Sequence, residues 1–104
     1  MPDPQYDIAT QGTPPRLRAF LLTIQWAEGT LQTRTPYNTL YGNKFFYSFE
    51  DHPRVRTDTF FNGRRNYTTA AGAYQITEST FNDYNFSNFE PATQDKIAIS
   101  LIRK

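Results

Sequence analysis

Cysteine is absent from this 104-residue chain, and that one gap removes disulfides, thiolate metal sites and thiol nucleophiles together. It leaves the compartment open, because an exported protein need not use disulfides. Histidine occurs once, at His52, so neither a histidine-based triad nor a multi-histidine metal site can be assembled. No apolar run is long enough to span a bilayer. The opening residues, MPDPQYDIATQGTPP, hold neither the basic segment nor the apolar core of a signal peptide. A formal net charge of +1, with 20% charged residues, gives no electrostatic footprint for nucleic acid or an anionic membrane. The composition therefore predicts no metal, no cofactor, no nucleic-acid partner and no membrane span.

Aromatic residues are plentiful instead: 16% of the chain, with nine Phe and seven Tyr. Such side chains fill a small core, and they also form platforms that pack against sugar rings. The length allows one domain with a modest core. Residues 1–12 carry prolines without periodicity and read as an irregular arm, leaving 13–104 as the single domain.

Within that domain, TPPRLRAFLLTIQWAEGT reads as an amphipathic helix. Thr13 is the expected N-cap, Pro14 the expected first helical residue, and Gly29 the stop. At about 100° per residue, Leu17, Phe20, Leu21, Ile24 and Ala27 fall on one arc. The segment YNTLYGNKFFYSF, around Gly42-Asn43, predicts a small antiparallel hairpin. EDHPRVRTD and FFNGRRN read as ordered connections around Pro53 and Gly63. TTAAGAYQIT leads through Thr77 or Ser79 into a short helix carrying Phe81 and Tyr84. In EPATQDKIAISLIRK, Ile97, Ala98, Leu101 and Ile102 recur at helical spacing, with Thr93 as a cap. Helix, small sheet, then helices make an α+β arrangement.

One acid stands out against this frame. Glu28 lies four residues after Ile24, seven after Leu21 and eleven after Leu17, so its direction falls within the apolar arc. Two readings are open. Either the side chain has already emerged into water at the helix end, or it is a carboxylate held against apolar surface at the mouth of a cleft. The second setting keeps an acid protonated for proton donation. No second carboxylate has a comparable claim: Glu50 and Asp51 adjoin Pro53 in a turn, and Asp58 sits among polar connectors. His52 reads as structural, packed beside Pro53. Trp26 lies opposite the arc and is either a solvated aromatic or a sugar platform, and Arg64-Arg65 reads as solvated.

Four segments, AFLLTIQWAEGT, YNTLYGNKFFYSFEDHPR, TTAAGAYQIT and ATQDKIAISLI, resemble successive blocks of the bacteriophage lambda endolysin family. They run in family order and cover most of the chain from Leu17 to Ile102. The resemblance implies a lysozyme-like α+β fold, with a cleft between a helical lobe and a small antiparallel sheet. It also implies lytic transglycosylase activity on peptidoglycan, with Glu28 as the catalytic acid and Tyr74 and Gln75 in the substrate groove. Asn38 stands where the family has an aspartate beside the sugar; it keeps a hydrogen bond but not a charge. Ala73 stands where the family has an arginine.

The family's further C-terminal helices have no counterpart before Lys104. The apolar faces of the first and last helices are therefore expected to lack part of their cover. Another chain, a longer parent protein or a reduced fold would each account for that. The expected activity is that of a phage endolysin or virion-borne enzyme acting on the bacterial wall, reached through a holin or from the particle. The competing expectation is a non-catalytic, lysozyme-like structural or wall-binding module of a phage assembly.

Overall fold

The computed structural model describes residues 14–42 and 44–104, with the side chain of residue 61 also left aside. The expected arm at 1–12, the Thr13 cap and Asn43 of the expected turn lie outside the described residues. The first helix, α1, spans Pro15–Ala27, one residue later than expected. The reason is the second proline: the ring of Pro15 disfavours helical geometry in the residue before it. Pro14 accordingly sits at φ −53°, ψ 141°, outside the helix. Gly29 ends the helix as predicted, at φ 79°, a left-handed conformation that costs glycine little.

Two 3₁₀ turns, Thr30–Gln32 and Pro36–Asn38, carry the chain to β1 (Thr39–Leu40). This strand pairs antiparallel with β2 (Lys44–Phe45), Leu40 opposite Lys44. The expected hairpin is therefore present, with strands of two residues each. A second hairpin replaces the expected connections: β3 (Thr57–Phe61) pairs antiparallel with β4 (Arg64–Thr68). The small sheet is thus two two-stranded sheets. Asn62 and Gly63 turn this hairpin with φ values of 53° and 75°. Two consecutive positive φ angles are what a two-residue hairpin loop requires, and Asn-Gly meets that requirement best.

Helix α2 (Glu78–Asn82) is capped by the Thr77 hydroxyl, which accepts from the Thr80 amide at 3.3 Å. Helix α3 (Pro91–Ile102) starts before Thr93, which is buried inside it rather than capping it. The core joins Leu21 of α1, Ile97 and Ala98 of α3, and Tyr37, Leu40, Phe46, Ala71, Ile76, Phe81 and Phe89. Each large apolar side chain buried there contributes about 1.5–3 kcal/mol.

The buried row of α1 is rotated from the expected arc. Leu21 and Gln25 are its fully buried residues, while Phe20 and Ala27 are exposed. Polar Gln25 sits inside because it has a partner: its Nε2 donates to the Tyr74 hydroxyl at 3.2 Å. A periodicity count scores glutamine as solvated and turns the helix the wrong way.

His52 is structural, as expected. It is buried, its Nε2 lies 2.8 Å from the Ile76 carbonyl, and its Nδ1 accepts the Arg54 amide at 2.9 Å. Those two bonds fix the neutral tautomer with the proton on Nε2. The ring also packs against Phe89, with centroids 4.9 Å apart.

Candidate functional site

The end of α1 meets the first hairpin across a cleft of about 300 Å³, lined by Glu28, Gly29, Thr30, Thr39, Leu40, Tyr41, Gly42 and Gln75. Glu28 is the C-terminal cap of the helix, and its amide donates to the Ile24 carbonyl at 2.9 Å. Gly29 then reverses the chain. Thr30, fully buried, donates its hydroxyl to the Ala73 carbonyl at 2.5 Å. The short path from helix end to glycine loop thus has both ends anchored, which fixes where Glu28 leaves the backbone.

The Glu28 side chain is exposed, and no described residue pairs with it. Of the two readings open from periodicity, the side chain has emerged into water, because Gly29 ends the helix before another turn can fold over the carboxylate. Position in the cleft is retained and desolvation is not. Glu28 is the one carboxylate among the described lining residues.

Gln75 also lines the cleft. Its backbone holds φ 51°, an uncommon angle for a residue with a side chain. Two bonds secure it: Nε2 donates to the Gly72 carbonyl at 2.9 Å and to the Thr39 carbonyl at 3.2 Å. Both donors of the amide nitrogen are used, so its oxygen remains as an acceptor at the cleft. Tyr41, also in the lining, shares a 2.8 Å hydrogen bond with Thr59 of β3, which ties the second hairpin to the cleft wall.

The structure separates the other two expected site residues from this cleft. Asn38 opens onto a neighbouring notch, and its Nδ2 donates to the Phe46 carbonyl at 3.2 Å. Tyr74 is turned into the core, where its hydroxyl donates to Asp95 Oδ1 at 2.5 Å. Burial, with Asp95 and Tyr37 adding to it, raises the Tyr74 phenol above its ordinary value, so it stays protonated. Adjacent positions in AYQ thus part company: tyrosine faces inward and glutamine faces the cleft.

Sequence reading missed Asp95, although TQDKIAIS places it one turn before Ile99. It is buried with Oδ1 accepting from both Tyr37, at 2.9 Å, and Tyr74. Among the described residues its Oδ2 has no hydrogen-bond partner, nor has Gln25 Oε1. Burial pushes the Asp95 carboxyl up to about 6, with the two tyrosine hydroxyls pulling the other way. No group of three or more His, Asp or Glu with metal-holding geometry occurs among the described residues.

Comparison with known proteins places this geometry. The Endolysin family matches residues 18–104. Bacteriophage lambda lysozyme complexed with a chitohexasaccharide matches with a TM-score of 0.72 at 28% identity. Lysozyme from bacteriophage lambda matches with a TM-score of 0.73 at 26% identity. Each match covers 85% of this chain and 61% of the other, so the chain spans less than two-thirds of the length of these relatives. None of the curated proteins matches. The α+β architecture is lysozyme-like.

Proposed function

Since the chain belongs to the Endolysin family, we propose that it cleaves the glycan strands of bacterial peptidoglycan, as a lytic transglycosylase with Glu28 as sole acid and base. The observation that carries this reading is a single carboxylate on the rim of a neutral cleft that also holds a fixed amide at Gln75. A chitohexasaccharide is bound by the lambda lysozyme relative, and the same class of β-linked sugar chain suits the cleft here.

The chemistry needs no second carboxylate. Hydrolytic glycosidases divide acid and nucleophile or base between two. Here Glu28 donates its proton to the glycosidic oxygen as the bond to the muramic acid C1 breaks. The resulting carboxylate takes the proton of the C6 hydroxyl on the same ring, and that oxygen bonds to C1. Glu28 is returned to its acid form, and the product carries a 1,6-anhydro ring. Attack from within the ring is favoured by proximity. Gln75 accepts a sugar hydroxyl at the cleft, and Asn38 contacts the glycan from the notch beside it.

The site of action is the cell wall, as for a phage endolysin, with delivery by a holin or from the virion. A second reading is a non-catalytic wall-binding module, favoured by the exposed, unpartnered carboxylate. One substitution separates the two. Glu28→Gln keeps shape and hydrogen bonding but cannot shuttle a proton. Loss of wall clearing by about a hundredfold to ten-thousandfold, with glycan affinity unchanged, supports the enzyme. Equal clearing by both proteins removes Glu28 from catalysis. Binding without clearing by either favours the module.

A further inference from the structure

Beside the cleft lies a second opening of about 320 Å³, lined by Arg34, Thr35, Asn38, Phe45, Phe46 and Tyr47. Its character is opposite to that of the cleft. The cleft has one carboxylate and no cation among its lining residues; the notch has one guanidinium and no acid. Arg34 is exposed and makes no ion pair with any described residue. Two aromatic rings stand in water at its edge, Phe45 at 41% exposure and Tyr47 at 94%. A small domain gains nothing in stability from leaving such surface wet, and grouped exposed aromatics mark binding surfaces.

The two openings share one segment of chain. Thr39 to Gly42 line the cleft, and Arg34, Thr35, Asn38 and Phe45 to Tyr47 line the notch. Their relative position is fixed by β1–β2 pairing, by the Asn38 bond to Phe46, and by Thr39 donating to the Thr35 carbonyl at 3.0 Å. A branched ligand can occupy both, with a neutral chain along the cleft and an anionic branch departing into the notch that holds Arg34.

We propose that this notch binds the acidic stem peptide carried by the muramic acid residues of peptidoglycan, with Arg34 pairing a peptide carboxylate and Tyr47 and Phe45 packing on its aliphatic part. The proposal rests on the assignment of peptidoglycan to the cleft. The carboxylates of the peptide match the exposed Arg34 guanidinium, which pairs with no described acid, and the branch point lies on the same sugar whose C1 bond is cut. Arg34 then sets preference for peptide-bearing strands without touching the reacting atoms.

The test is an NMR titration of isotopically labelled full-length protein with a free acidic stem peptide, which reads binding independently of cleavage. The expected result is shifts concentrated at Arg34, Asn38, Phe45 and Tyr47. Arg34→Gln weakens binding roughly three- to fivefold, the range for one exposed charge pair. A peptide with amidated carboxylates weakens similarly, and Glu28→Gln changes nothing. Shifts elsewhere, or equal affinity of the amidated peptide or of Arg34→Gln, overturn the proposal. Clearing of peptide-free glycan strands by the wild type, assayed beside it, tests the cleft assignment separately.

Discussion

Asp95 and His52 are buried and titratable, and they pull stability in opposite directions with pH. Asp95 is raised from an ordinary 3.8 to about 6. Between those values the folded chain holds a proton that the unfolded chain has lost, so stability falls as pH rises through this window. The difference amounts to about 3 kcal/mol at most. His52 is lowered from 6.5, chiefly by burial, so its contribution is present above 6.5 and is lost as pH falls toward its folded value. Asp95→Asn is expected to remove the descending slope between about pH 4 and 6 while leaving the histidine slope. Denaturation midpoints of wild type and variant across that range check this. An unchanged slope in the variant means that Asp95 is not the titrating group. Neither residue lies in the cleft, so these effects concern folding and not the reaction.

Gly72 shows how the elements hold the cleft together. It has φ 82°, and a Cβ there would lie 2.1 Å from Gln94 Oε1 and 3.1 Å from the Phe89 ring. That oxygen accepts the Ala73 amide at 3.0 Å, while Gln94 Nε2 reaches the Tyr37 and Phe89 carbonyls. Gly72→Ala therefore combines backbone strain with displacement of a buried side chain that braces three segments. A loss of about 2–4 kcal/mol is expected, read as a drop in the chemical denaturation midpoint. The β3–β4 hairpin is the opposite case. It meets other helices and strands only marginally, and Phe60 and Tyr67 are largely exposed, with Arg56 stacked 3.6 Å over Tyr67. Hydrogen exchange should find the β3–β4 amides opening well before those of Ala71 and Ile76, which bond each other in the core.

The helices, the first hairpin and the glycine stop at Gly29 were legible because each follows from a local rule of spacing or turn chemistry. The second hairpin carried a local signal too, Asn62-Gly63, but its strands TDTFF and RRNYT lack alternation of apolar and polar residues. The described side chains of this strand pair are exposed or half-buried, so there is no hydrophobic period to read. Of the candidate site, Glu28 and Gln75 were found in one cleft. Tyr74 and Asp95 were not separable by pattern, because a buried polar network depends on partners far apart in the chain: Gln25, Tyr37, Tyr74 and Asp95 meet only on folding.

At the scale of the molecule, a lysozyme-like fold is held by one core, with the cleft where helix α1 ends against the first hairpin. Phe20 and Trp26 on α1 and Leu101 on α3 are exposed. The central claim, that one carboxylate performs the whole reaction, is tested most directly by mass spectrometry of fragments released from purified peptidoglycan. Catalysis by Glu28 alone predicts 1,6-anhydromuramoyl ends, with no incorporation of oxygen from isotopically labelled water. Reducing ends that carry the solvent label would contradict it and require a second group to activate water.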